Sequence, residues 1–457
     1  MRTHSDDPAD VKPQQPVLFE VPAAVPPPTR VAGEPSRPRV READRTQIAW
    51  RPVDLEGLLP DDHRARIVWA YVEGLALAPL YQPIRAVEGE AGRSATDPKL
   101  LLALWLYATL EGVGSARALD RLCTTHLAYQ WLCGGVPMNY HTLADFRTEH
   151  GAVLDTLLTQ GVAVLLAQGA VTLERVAQDG VKVRASAGAA SFRRRQTLEA
   201  CLAEAEAQVQ ALRAELEEDP GATAVRQQAA RERAARERQA RVAQALAQLP
   251  ALEAKKNPAD RPQVRASTTD PDARVMKMAD GGYRPAYNLQ FSTDTGSQVI
   301  VGVDATNAGT DYGQLAPMTA QVEARYAQAP GATLVDGGFA AKEDIAAVSD
   351  RTTVYAPVQQ PKDPARNPHA PLPRDPPAVA AWRERMGTPE AQAIYKERAA
   401  TAECVNAQAR NRGLRHLGVR GLAKVRVIAL WYALAHNLMR AVALGAVAGF
   451  FHRGSGG

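Results

Sequence analysis

The apolar positions of this chain change period several times. From about residue 41 to 170 they recur at helical spacing in short runs separated by tight turns. Thr96-Asp97-Pro98 is a helix start, with a capping aspartate and a proline in the first turn. The run Lys99–Glu111 (KLLLALWLYATLE) is a strongly apolar helix that Gly112 and Gly114 end. Ser115 caps a helix through Leu122, and Leu143–His150 reads as another. Such grammar belongs to helix-turn-helix units and to small helical bundles alike.

After residue 170 the period shortens. Arg175–Val183 (RVAQDGVKV) reads as a strand carrying Asp179. A second change follows at once. Leu198, Leu202, Ala205, Val209, Leu212 and Leu216 are spaced 4-3-4-3-4, a coiled-coil seam. Asp219-Pro220-Gly221 is a turn, and the arginine-rich segment 222–249 returns as a second helix that Pro250 ends. The segment is an inserted antiparallel helical hairpin of about 60 residues.

Strand grammar resumes at Ala286–Thr293, where Tyr287, Leu289 and Phe291 alternate with Asn288, Gln290 and Ser292, predicting a half-buried antiparallel strand. Gln298–Thr306 returns as its hairpin partner, and a helix spans Gly313–Ala327. The short apolar strand Ala332–Val335 runs straight into Asp336-Gly337-Gly338-Phe339. A helix, a strand at Thr352–Val358, a connector with eight prolines over 357–377 and helices over 379–412 complete the order. The last helix, Ala423–Leu444, is apolar on much of its surface and must pack on something. This order predicts an α/β fold, a mixed sheet with helices on its faces.

Composition adds limits. Nine of the 32 prolines fall in residues 1–40, which read as a disordered, partly extended tail. The opening MRTHSDDPAD has no apolar run, so no secretory signal is expected. The uncharged segment 156–173 is interrupted by Thr156, Thr159, Gln160, Gln168 and Thr172, and no membrane span is expected. Four cysteines make no disulfide framework, and a reduced, cytoplasmic setting is expected. Cys123, His126, Cys133 and His141 lie close in sequence, but their gaps do not match zinc-finger spacings. The net charge is only +4, yet from Tyr395 to Gly457 ten Lys and Arg face two acids. A basic block of that kind is either a footprint for phosphate or a solvated helix face.

Three acids stand out by position. Asp179 sits in the first strand, Asp336 closes a later buried strand before two glycines, and Glu403 lies on a helix after the proline-rich connector. Carboxylates converging from different elements are what a magnesium-dependent phosphodiester chemistry needs, since Mg²⁺ takes hard oxygen ligands. Each acid also has a plain structural reading, as a turn or a cap. Glu403 and Arg410 are seven apart, within about 20° of each other on an α-helix. That spacing suits a metal ligand beside phosphate-binding cations, or a simple ion pair.

These stretches resemble the DDE transposases of bacterial insertion sequences. The resemblance runs over roughly 45–445. Asp97-Pro98-Lys99-Leu100-Leu101 and the stretch His141-Thr142-Leu143 to Phe146-Arg147 resemble the helical N-terminal domain. Asp179-Gly180-Val181-Lys182 resembles the first-aspartate motif and Val335-Asp336-Gly337-Gly338-Phe339 the second. Ser267–Arg274 and Gly281–Gln290 resemble the entry to the second strand. Tyr395, Arg398, Glu403 and Gly413-Leu414-Arg415 resemble the tyrosine–arginine–glutamate signature. That signature commonly has three residues between arginine and glutamate, whereas here Ala399–Ala402 are four, and a common lysine is here Arg410.

The resemblance implies a ribonuclease-H-like mixed sheet flanked by helices, with an all-helical N-terminal domain and the inserted hairpin. The divisions expected are a tail at 1–40, a DNA-binding domain at 41–170, a catalytic domain at 171–192 and 258–450, and the insert at 193–257. Asp179, Asp336 and Glu403 would be catalytic and would bind two Mg²⁺ ions, with Mn²⁺ able to substitute. Tyr395, Arg398, Arg410, Arg412 and Arg415 would contact DNA, with Arg274 and Lys277 as further candidates. The partners implied are double-stranded DNA, as transposon inverted repeats and target, and a second copy of the chain in a synaptic complex, with no membrane. The competing readings are a metal-dependent nuclease on the same fold and a non-catalytic or repurposed DNA-binding protein.

Overall fold

The computed structural model describes residues 54–86, 94–218 and 225–446. The expected tail at 1–40, the turn Asp219-Pro220-Gly221 and the side chain of the seam residue Leu216 lie outside the described residues. Helices come first: α1 (Arg64–Glu73), α2 (Ala78–Tyr81), α3 (Pro98–Leu110), α4 (Ala116–Thr125), α5 (Leu127–Cys133), α6 (Tyr140–Glu149) and α7 (Gly151–Ala167). The start of α3 is the one the sequence predicts: Pro98 fills a position that needs no N–H, and Asp97 Oδ1 accepts from Lys99 N at 2.8 Å. Almost every α3 side chain is buried, and Trp105 Nε1 donates to the Leu143 carbonyl at 2.9 Å, tying α3 to α6. Among the described residues no single helix is long and apolar enough to cross a membrane; α6 and α7, apolar enough together, meet at a 63° bend.

Strand β1 (Arg175–Arg184) opens the sheet, and the chain then leaves it through β2 (Phe192–Arg193). The insert is α8 (Arg195–Glu218) and α9 (Val225–Ala254), and the chain re-enters through β3 (Ala266–Ser267). A two-residue β2–β3 ladder staples the base of the insert. The seam side chains Leu198, Ala205, Val209 and Leu212 are buried, as the 4-3-4 spacing predicts. The stop at Pro250 is not observed: α9 runs through it to Ala254. A proline inside a helix costs about 3 kcal/mol. Leu249, Ala245 and Val242 offset that cost by packing on Leu198 and Ala266. Gln248 holds the same turn by bonding Asp272 and Arg274.

The remaining strands are β4 (Arg274–Lys277), β5 (Tyr283–Asp294), β6 (Ile300–Thr306), β7 (Ala332–Leu334) and β8 (Thr353–Tyr355), with helices α10 (Leu315–Tyr326) and α11 (Lys342–Val348) around β7. The sheet order is β4-β5-β1-β7-β8, with β6 also paired to β5. β5 is antiparallel to β1, β4 and β6, whereas β1, β7 and β8 run parallel. One expectation is corrected here. β5 is not half-buried, because Asn288, Gln290 and Ser292 are as enclosed as Tyr287, Leu289 and Phe291. The apolar side meets the main core, and the polar side is covered by hydrogen-bonding groups from distant segments.

The chain ends in α12 (Pro377–Met386), α13 (Pro389–Arg398), α14 (Cys404–Asn411) and α15 (Leu422–Ala443). α15 is the shared pillar: its side chains belong to one core with α3, α7 and the strands β5 and β6. Asp270 and Asp272 accept from Gly421 N and Leu422 N at its start, and Asn437 pairs with both the N–H and the carbonyl of Ile300 at 2.8 Å.

His436, buried on α15, donates from Nε2 to the Gln298 carbonyl at 2.9 Å, while its Nδ1 has no partner. Burial, with Arg412 and Arg440 adding to it, pushes its pKa down to about 4. Above about pH 6.5 both folded and unfolded imidazoles are neutral, so the stability it contributes is complete. Between about 6.5 and 4 only the unfolded chain takes the proton, and about 3 kcal/mol is lost as pH falls. Urea unfolding across that range should show the loss, and His436→Gln should flatten it; an equally steep wild-type and variant profile would assign the acid sensitivity elsewhere.

Candidate active site

Two of the three acids are placed by register alone. In the parallel pair β1–β7, Arg175 lies opposite Ala332 and Ala177 opposite Leu334. Two residues further along each chain stand Asp179 and Asp336, side by side where the parallel pair ends. Asp336 Oδ1 accepts from Gly338 N at 2.8 Å, which folds the Asp-Gly-Gly turn back under it. Asp179 is held on both oxygens, by Gly180 N at 2.9 Å and by Asn406 Nδ2 at 2.9 Å.

The third acid comes from the helical face. α13 ends at Arg398, and Ala399–Glu403 forms a single π-helical turn before α14. This turn answers the extra residue between arginine and glutamate. Five residues apart on an α-helix, the two side chains would point about 140° apart. In a π turn the hydrogen-bonded ring takes in one more residue, and groups five apart come onto one side. Arg398 and Glu403 do meet, Nη1 to Oε1 at 3.4 Å.

Arg398 is the hub. Its Nη2 lies 3.3 Å from Asp179 Oδ1 and 3.8 Å from Asp336 Oδ2. The three acids named from sequence therefore converge on one guanidinium. Their exposure is graded, with Asp179 at 16%, Asp336 at 39% and Glu403 at 63%. The Glu403–Arg410 ion pair considered from spacing is not formed; Glu403 pairs with Arg398. Burial pushes the Asp179 carboxyl up to about 6; Arg398 pulls it down, and Asp336 and Asp311 push it further up.

Among the described residues no three His, Cys, Asp or Glu side chains form a ready-made metal cage. The carboxylates are spaced around a cation, and their hard oxygens are of the kind Mg²⁺ takes. The cysteine–histidine segment is occupied otherwise. Cys123 and Cys133 are buried free thiols, and His126 Nδ1 accepts from Ala128 N at the start of α5.

Asp179 and Asp336 open into a groove of about 750 Å³ that Lys182, Arg184, Lys277, Arg284, Arg410 and Arg415 also line, with Arg284 paired to Asp280. Acids and cations in one groove suit a phosphodiester backbone, which needs charge neutralised along its length. Of the basic residues named from sequence, Arg410, Arg415 and Lys277 line this groove. Tyr395 is half-buried against the α11–α12 core, and burial raises its pKa in the field of Arg398, Asp336 and Asp179. Arg412 lines a separate cleft with Arg147 and Trp431. Arg274 is turned inward, its Nη1 donating to the Pro271 and Ala273 carbonyls and its Nη2 to Gln248 Oε1 at 2.6 Å. Sequence reasoning passed over Lys182, Arg184, Arg284, Asn406 and Asp311. Alternation along β1, with Gly180, Lys182 and Arg184 on one side, was a signal for two of them. No local signal marks Asn406, which matters only because α14 packs beside β1.

The mixed α/β fold thus sets carboxylates beside a row of cations, an arrangement whose charges suit a phosphate-bearing ligand. Two family models match the chain, a transposase domain (DUF772) over residues 53–149 and a transposase DDE domain over 375–442. Both matches support a DDE transposase of an insertion sequence. The first match covers α1 to α6, and the second takes in Tyr395, Arg398 and Glu403 and ends within α15. Asp179 and Asp336 lie between the two. No curated protein and no solved structure matches the chain.

Proposed function

We propose that this transposase cuts DNA at the ends of its mobile element and joins the freed 3′-hydroxyls directly to target DNA. The observation that carries this is the convergence of Asp179, Asp336 and Glu403, from three distant parts of the chain, within 3.3–3.8 Å of one guanidinium, with Asp179 and Asp336 also lining a groove rich in cations. The strand order, with β6, β5 and β1 antiparallel and β1, β7 and β8 parallel, supports a ribonuclease-H-like architecture. Helices α1 to α6 would read the inverted repeats, and two copies would bring two ends together in the cytoplasm on nucleoid DNA.

Asp179, Asp336 and Glu403 would hold divalent cations, two Mg²⁺ or Mn²⁺ ions. Such ions, when bound, activate the attacking oxygen and stabilise the leaving one. The chain's own residues do the rest. Asn406 and Gly180 N fix the Asp179 carboxylate so that its charge faces the groove. Arg398 balances the acids and is placed to neutralise the phosphate brought to them. Arg410, Arg415, Lys182 and Lys277 orient the backbone along the groove. In cleavage, water oxygen bonds to phosphorus as the bond to a 3′-oxygen breaks, and that oxygen leaves as a hydroxyl. In joining, the 3′-hydroxyl oxygen bonds to a target phosphorus and displaces a target 3′-oxygen.

The test is a pre-cut end. Full-length protein, a fragment ending in the element's own inverted repeat with a free 3′-hydroxyl, supercoiled target plasmid and Mg²⁺ should yield joined molecules. Cutting without joining would make the protein a nuclease on this fold. Binding to the repeat with no metal-dependent product would make it a DNA-binding protein only.

A further inference from the structure

A further carboxylate, Asp311, lines the same groove as Asp179 and Asp336. Asp311 lies in the loop between β6 and α10, and its Oδ1 accepts from Asn288 Nδ2 at 2.7 Å and Gln290 Nε2 at 2.6 Å. Both amides rise from β5 and are at most 1% exposed. Gln178 of β1 extends the ladder, its Nε2 donating to Gln290 Oε1 at 3.2 Å and to the Gln314 carbonyl at 3.0 Å. Gln290 lies opposite Gly180 in the β1–β5 register. A methyl group on Gly180 would fall 2.2 Å from Asp311 Oδ1, 2.5 Å from Gln290 Nε2 and 2.6 Å from Asn288 Oδ1. The glycine after the first aspartate therefore keeps open the space in which Asp311 sits.

The other oxygen looks the opposite way. A Cβ on Gly338 would stand 3.6 Å from Asp311 Oδ2 and 3.0 Å from Asp336 Oδ1, so the two carboxylates flank one point in the groove. Two neutral amides orient Asp311 but do not cancel its charge, and among the described residues Arg398 pairs with the other three acids and not with it. The fully buried Asn288 Oδ1 has no hydrogen-bond partner beside this pocket. A part-buried carboxylate without a cation, set on a buried amide ladder, is costly to keep for stability alone.

We propose that Asp311 is a positioning residue for the divalent cation, a fourth negative group that raises the pocket's affinity for the ion through its charge and its free Oδ2. The proposal rests on the metal-dependent reading above. The amide ladder fixes which way the carboxylate faces, and Gly180 and Gly338 leave room for it. The sequence around it, Thr306–Gln314, carries no feature that singles it out, which is why only the fold reveals it.

Mn²⁺ binding to the full-length chain without DNA, followed by electron paramagnetic resonance, tests this apart from activity. Asp311→Asn keeps the shape and an acceptor for the two amides and removes the charge. It should weaken Mn²⁺ binding about tenfold, while Asp311→Glu, which restores the charge, should stay within a few-fold of wild type. Melting in EDTA should be alike for all three. Wild-type affinity in Asp311→Asn would overturn the proposal, and so would equal losses in both variants, since that pattern marks a structural role. Absence of Mn²⁺ binding in the wild type, with Asp179→Asn indistinguishable from it, would instead sink the metal-dependent reading itself.

Discussion

Asp179→Asn should bind the element's ends as wild type does and lose Mg²⁺-dependent cleavage by about 10³-fold or more, the scale set by removing one central electrostatic group. The substitution keeps volume, and the new side chain can still accept from Gly180 N. What disappears is the charge that Arg398 and a bound cation both answer to. Asp336→Asn removes the neighbour placed by the same strand register, and Glu403→Gln removes the most exposed of the three. Labelled-end cleavage read beside gel-shift binding in EDTA separates chemistry from affinity. Wild-type cleavage by any one variant removes that residue from the set.

The second large effect is on stability. Trp431 of α15 is 1% exposed, donates from Nε1 to the Arg147 carbonyl at 2.9 Å and packs near Phe146 at 6.3 Å between ring centres. Truncating a buried tryptophan to alanine typically costs about 3–5 kcal/mol. Trp431→Ala should fall near the upper end, because it also leaves the Arg147 carbonyl without its donor. Urea unfolding of the full chain should register the loss, together with poorer packing of α6, whose Arg147 stacks on Trp105 at 4.7 Å. A loss below about 1 kcal/mol would mean that the surrounding side chains close the cavity, and that α15 is less of a pillar than its burial indicates.

Much of the fold could be read from period and punctuation. Asp97-Pro98 and Ser115 start helices where expected, and the strands around Asp179 and Asp336 form where β-branched runs meet small residues. The misreadings share a cause. Pro250 looks like a stop because its penalty is local, whereas the packing that overrides it comes from Leu198 and Ala266, far away in sequence. Asn288 and Gln290 look solvent-facing because polar alternation shows only that a face is polar; what covers it is Asp311 and Gln178. The site divides the same way. Its acids sit in motifs that stand out in one dimension, but Arg398 as hub depends on a π turn that no propensity marks. Arg274 looks like a phosphate contact until its guanidinium is seen bonding the loop beside it.

Because α15 floors both the first helices and the sheet, those helices are not a detachable unit. Exchanging α1 to α6 for those of another element would transplant a surface shaped to fit Trp431, Ile428 and their neighbours, and a chimera cut near residue 170 would seat poorly unless α15 travelled with it. If α1 to α6 read the inverted repeats as proposed, retargeting is thus better pursued by changing exposed side chains on the existing helices than by swapping whole segments.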